Sequence, residues 1–161
     1  MGGLISPSPG ASRHLFVTTE IQIERGSEDV WPYLVDWERL DRWMPEGRDF
    51  RLVGEQREGV GVEADATITV AGIRTHDRIR VIGWNPPWSL EIAHLGWVKG
   101  TGYMELSPRE DGRETHIFWR EELIPPLGRL GRIGLHALSP LLKHTFRRDL
   151  RLLKELAESE R

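Results

Sequence analysis

The sequence predicts one α+β domain in which an antiparallel sheet carries a long amphipathic C-terminal helix. Three observations lead there. Apolar residues alternate with polar ones in seven runs between Leu15 and Leu123, separated by turn residues, as in half-buried strands. Two short helical segments fall between the first and second runs. After Pro125-Pro126 the apolar period changes from two to that of a helix.

The first strand has Leu15, Val17, Ile21 and Ile23 on one face. Ser27 then offers an N-cap, and Glu28 and Asp29 suit the positive end of a helix dipole. Val30, Trp31, Leu34 and Val35 follow at helical spacing, with Pro32 keeping this helix short or bent. A second segment carries Trp37, Leu40 and Trp43 and stops at Pro45 and Gly47. Strands are expected over Phe50 to Glu55, Val62 to Val70 and Ile73 to Val81, with a tight turn at Ala71-Gly72. Asn85-Pro86-Pro87 breaks the sheet. Trp88, Leu90, Ile92 and His94 then share a face, as do Gly102, Met104 and Leu106, and finally Ile117, Trp119, Glu121 and Leu123. The last helix carries an apolar stripe from Leu130 to Leu156, and Pro140 predicts a kink near Leu135 to Ser139.

Composition narrows the function classes. A chain of 161 residues suits a single domain, here residues 14–161, behind a loose Gly/Ser/Pro-rich tail at 1–13. The net charge of −3 gives no basic footprint for nucleic acid or anionic lipid. No run approaches a membrane span, and the start MGGLISPSPGAS lacks the apolar core of a signal peptide, so a cytoplasmic protein without integral membrane association is expected. There is no cysteine, hence no disulfide and no thiolate nucleophile. Six histidines show no tight ligand spacing, and no nucleophile elbow is present; no metal and no cofactor is predicted.

Three segments together resemble the START-like superfamily, and within it the polyketide cyclase/dehydrase and lipid-transport group. They are EDVWPYLVDWERLDRWMP, WNPPWSLEI, and GTGYMELSPREDGRETHIFWREELIPP leading into the final helix. The resemblance covers about Leu15 to Glu158. It implies a helix-grip fold: a seven-stranded curved sheet wrapped around the C-terminal helix, with a cavity between them. Aromatase/cyclases, quinone-binding proteins, lipid carriers and hormone receptors share this fold, so membership does not name an activity.

The expected ligand is a small hydrophobic molecule (a lipid, a quinone or an aromatic metabolite), bound by a monomer or homodimer. The expected wall comprises Trp43, Thr75, Trp88, Ile92, Met104, Ile117 and Trp119, facing Ala137, Leu138 and Leu141 from the helix. Ala64, Ala66 and Gly134 would leave room. Strand parity also puts Asp77, His94 and Glu121 on the cavity side. There they meet a polar part of the ligand, or pair as a proton-transfer trio around His94 that would support a cyclase/dehydrase-like enzyme, or sit near strand ends in water. In the aromatase/cyclases an arginine on the cavity wall positions the polyketide; the nearest match, Arg78, falls on the opposite parity with Arg74 and Arg80. Tyr103 also falls on the outer face. Exposure of Trp31, Trp37 or Trp97 would instead point to a surface for a partner.

Overall fold

The computed structural model describes residues 14–160, so the expected N-terminal tail lies outside the described residues. Its elements follow the expected order: β1 (Leu15–Ile23), α1 (Ser27–Val35), a 3-10 helix (Trp37–Arg42), β2 (Gly47–Val53), β3 (Glu63–Val70), β4 (Ile73–Asn85), β5 (Ser89–His94), β6 (Lys99–Arg109), a 3-10 turn (Glu110–Gly112), β7 (Glu114–Ile124) and α2 (Gly128–Ser159). The seven strands form one antiparallel sheet in the order β1-β7-β6-β5-β4-β3-β2. β1 and β2 thus lie at opposite edges, and α1 with the 3-10 helix carries the chain between them.

Two local details depart from expectation. Ser27 opens α1 but does not cap it; its buried hydroxyl lies 3.1 Å from Thr115 Oγ1, which itself donates to the Arg25 carbonyl. The Gly26 carbonyl accepts the first helical N–H groups, from Asp29 and Val30. β4 also runs four residues beyond Val81, because a bulge between Val81 and Gly83 shifts the pairing register. The shift turns Ile82 outward and lets Trp84 meet Trp31 edge-on, at 5.3 Å between ring centres.

The core lies between the sheet and the C-terminal half of α2. Leu150, Leu153 and Ala157 reach it at helical spacing and pack with Ile23, Val30, Leu34, Leu106 and Ile117, all essentially inaccessible. Upstream the helix continues unbroken through Pro140, but its side chains are far less covered: Leu130 is 78% and Ile133 66% exposed. One half of α2 is therefore a core element and the other a wall.

This division predicts unequal costs for equal truncations. Leu153→Ala removes a fully buried side chain and should destabilise by about 2–5 kcal/mol in urea unfolding. Leu130→Ala should stay within about 0.5 kcal/mol of the parent.

Candidate functional site

The covered face of the sheet borders two adjoining spaces, the inner closed by α1 and the 3-10 helix and the outer by α2. An inner chamber of about 100 Å³ lies under the 3-10 helix, walled by Leu40, Trp43, Ala64, Ala66, Ile92 and Met104 among others. An outer chamber of about 350 Å³ runs under the N-terminal half of α2, past Thr75, Leu135, Leu138 and Phe146, and opens beside Ile73, Trp97 and Leu127. Both chambers are bordered by Met44, Ile68, Asp77, His94, Trp119 and Glu121. The three ionisable groups therefore sit where the chambers meet.

Their meeting follows from register. Ile79 of β4 stands opposite His94 of β5, which places Asp77 one pleat along from the histidine. Glu121 is on β7, separated from β5 by β6, and must reach across the intervening strand. It passes over Gly102, its direct cross-strand neighbour. A Cβ at Gly102 would lie 2.6 Å from Glu121 Oε1, and one at Gly96 would lie 2.6 Å from Asp77 Oδ1. Both positions need the missing side chain, as glycine in or beside a strand often indicates.

His94 Nδ1–H donates to Asp77 Oδ2 at 2.7 Å, and Nε2–H donates to Glu121 Oε2 at 2.9 Å. Trp119 Nε1–H donates to Glu121 Oε1 at 2.7 Å, and the Gly96 N–H donates to Asp77 Oδ1 at 3.1 Å. Donating from both ring nitrogens requires an imidazolium. Burial pulls the His94 pKa down, but the Glu121 charge and the hydrogen bonds to Asp77 and Glu121 outweigh it and push it up to about 10. Neither nitrogen keeps a free lone pair for a metal. Two carboxylates against one imidazolium leave the cluster with one negative charge inside an apolar wall.

A second acidic cluster borders the outer chamber. Glu46 lines it, and Arg148 bridges Glu46 Oε2 and Asp149 Oδ1 at 2.5 and 2.8 Å. Glu46 Oε1 and Asp149 Oδ2 are buried without a hydrogen-bond partner. Burial, then the adjoining Glu46 carboxyl, push Asp149 up to about 8, so it holds its proton at neutral pH. Sequence reasoning missed this pair, because Asp149 looks like an ordinary polar position between two arginines and Leu150.

The other expected site residues divide clearly. Trp43, Ile92, Met104 and Trp119 border the inner chamber, and Thr75, Leu138 and Trp119 the outer one. Trp88 does not: it sits in the turn before β5 and is 43% exposed, because its N–H closes that turn on the Asn85 carbonyl. Ile117 is fully buried one pleat beyond Trp119, in the packed core rather than a chamber wall. Ala137 and Leu141 face away from the cavity. Leu142 and Phe146 set the inward face of α2, and moving towards its N-terminus by turns leads to Leu138, Leu135 and Gly131 instead. The outer strand face matches its expected parity. Arg78 holds Asp65 through two bonds of 2.6 and 2.8 Å, Arg80 pairs with Glu63, and Tyr103 lies beside Glu105 and Arg120. Trp31 and Trp37 are buried, whereas Trp97 is 54% exposed at the cavity mouth.

The two shifted groups predict how stability depends on pH. A raised pKa in the folded state favours folding below the ordinary pKa and loses that contribution as pH climbs to the folded value. For Asp149 the loss spans pH 3.8 to about 8, and for His94 pH 6.5 to about 10. The melting temperature should therefore fall continuously from pH 6.5 to 10 in calorimetry. Asp149→Asn, which mimics the protonated acid, should flatten the part below pH 6.5, make the fall between pH 6.5 and about 8 shallower, and leave the later fall intact.

The family described as polyketide cyclase/dehydrase and lipid transport matches residues 14–158. Among solved structures, the chain is similar to TTHA0849 from Thermus thermophilus, with a TM-score of 0.76 and 16% identity over 90% of this chain and 98% of that one. It is also similar to the Zhui aromatase/cyclase from Streptomyces sp. R1128 (TM-score 0.75, 15% identity, 90% and 94% covered). A START superfamily protein from Mycobacterium smegmatis gives a TM-score of 0.72 at 12% identity, with 89% and 97% covered. No curated protein sequence matches the chain. The seven-stranded grip on α2 and the match along nearly the whole chain agree: this protein belongs to the polyketide cyclase/dehydrase and lipid-transport family.

Proposed function

We propose that this protein binds a small, largely apolar molecule whose polar end carries a hydrogen-bond donor, such as a phenol or hydroquinone. The observation that carries this reading is the charged cluster at the junction of two apolar chambers. The apolar body fills the outer chamber, where burying on the order of 250 Å² would contribute roughly 6 kcal/mol before ordering costs. The polar end meets Asp77 and Glu121. Each of their oxygens already accepts one hydrogen bond and has room for a second, so they select donors. An anionic end would face like charge; at about 5 Å and an effective dielectric near 20 that costs up to about 3 kcal/mol.

One observation favours a second reading, an enzyme of the cyclase/dehydrase type: the three groups are within proton-transfer reach of one another. Turnover through His94 as a base would need it neutral, and a pKa of about 10 keeps it protonated at neutral pH. Arg78 lies on the outer face and offers no cavity guanidinium. Binding is therefore the better-supported function.

Displacement of the neutral dye N-phenyl-1-naphthylamine tests the reading, with quenching of Trp43 and Trp119 as a second signal. A long-chain alkylphenol should displace the dye at about tenfold or more lower concentration than a fatty acid of equal length near neutral pH. Glu121→Gln should narrow that gap. Equal competition, or preference for the fatty acid, would refute the donor-selective site.

A further inference from the structure

The N-terminal half of α2 carries an exposed surface that cavity binding does not explain. Leu127, Leu130 and Ile133 are 71%, 78% and 66% exposed, and Leu141 is 39% exposed. At about 100° per residue, Leu130, Ile133, Ala137 and Leu141 fall within an arc of about 80°. That arc lies between the cavity-facing side of the helix (Gly131, Leu135, Leu138, Leu142) and a basic side (Arg129, Arg132, His136, Lys143, Arg147). Trp97 and Ile73, each 54% exposed, stand with Leu127 at the mouth of the outer chamber.

Charge distinguishes the possible occupants. Residues 123–148 contain four arginines and one lysine, five basic side chains in all, and no acidic one. With a whole-chain charge of −3, that segment at +5 leaves −8 for the remainder. Among the described residues Arg129, Arg132, Lys143 and Arg147 have no ion pair; only Arg148 is engaged, with Glu46 and Asp149. A second copy docked with the two helices antiparallel would set one basic side against the other. An anionic bilayer instead takes the apolar arc into its acyl boundary and the basic side onto its headgroups, with Trp97 at the depth tryptophan favours.

We propose that the N-terminal half of α2, with Trp97 and Ile73, is a docking surface for an anionic lipid bilayer that presents the cavity mouth to the membrane. No helix among the described residues is long and apolar enough to cross a membrane, so the association is peripheral. The surface is defined by exposure and charge, and it stands whatever occupies the chambers.

Flotation of the full-length protein with vesicles tests this. It should float with phosphatidylcholine vesicles containing about 30% phosphatidylglycerol, stay behind with phosphatidylcholine alone, and be released by roughly 0.5 M salt. The double substitution L130E/I133E, at exposed positions, should weaken partitioning about tenfold or more while leaving the circular dichroism unchanged. R129Q/R147Q should weaken it too, with a smaller response to salt. Failure to float with anionic vesicles, or floating that both double variants leave unchanged, would overturn the proposal. So would a dimer in sedimentation equilibrium that L130E/I133E dissociates, which would assign the face to a second copy.

Discussion

A protonated histidine clamped between two carboxylates inside an apolar enclosure is the constraint around which this fold is arranged. Buried charges are tolerated only when paired and hydrogen-bonded. Here the pairing draws on three strands: Asp77 from β4, His94 from β5 and Glu121 from β7. The strand between β5 and β7 contributes an absence of side chain at Gly102, and the loop after β5 contributes the Gly96 N–H. Removing one partner would leave a charge buried without compensation, typically a loss of about 3–5 kcal/mol. The cluster is thus part of the architecture as well as the polar element of the cavity.

The long helix meets two opposing demands. Its C-terminal half closes the core through Leu150, Leu153 and Ala157, while the half before Leu142 roofs the outer chamber with small or loosely covered residues such as Gly131 and Gly134. The Glu46–Arg148–Asp149 cluster sits between these regimes and ties α2 to the segment entering β2. A roof held mainly at one end would give the proposed ligand a way in without disturbing the core, since regions with few buried apolar contacts open at the lowest cost.

Much of this was legible in the sequence because period-2 alternation encodes which side chains share a face. Parity alone put Asp77, His94 and Glu121 on the covered side and Arg78 and Tyr103 on the other. It could not say that the three would touch, because contact depends on register between strands far apart in the chain. Gly102 was visible as a strand residue, yet its role emerges only once Glu121 is seen crossing it. The helix was harder to read. A broad apolar stripe does not declare which of its residues face inward, so Ala137 and Leu141 were expected in the wall that Leu135 and Leu138 form. Trp88 followed the alternation of β5 on paper, but it belongs to the turn before that strand.

The most direct test of this account is an ¹⁵N NMR titration of the His94 side chain in the ligand-free protein. Both ring nitrogens should remain protonated well above neutral pH, with titration only near pH 10. A neutral imidazole close to neutral pH, with one nitrogen bare, would contradict the charged cluster and the donor-selective cavity derived from it.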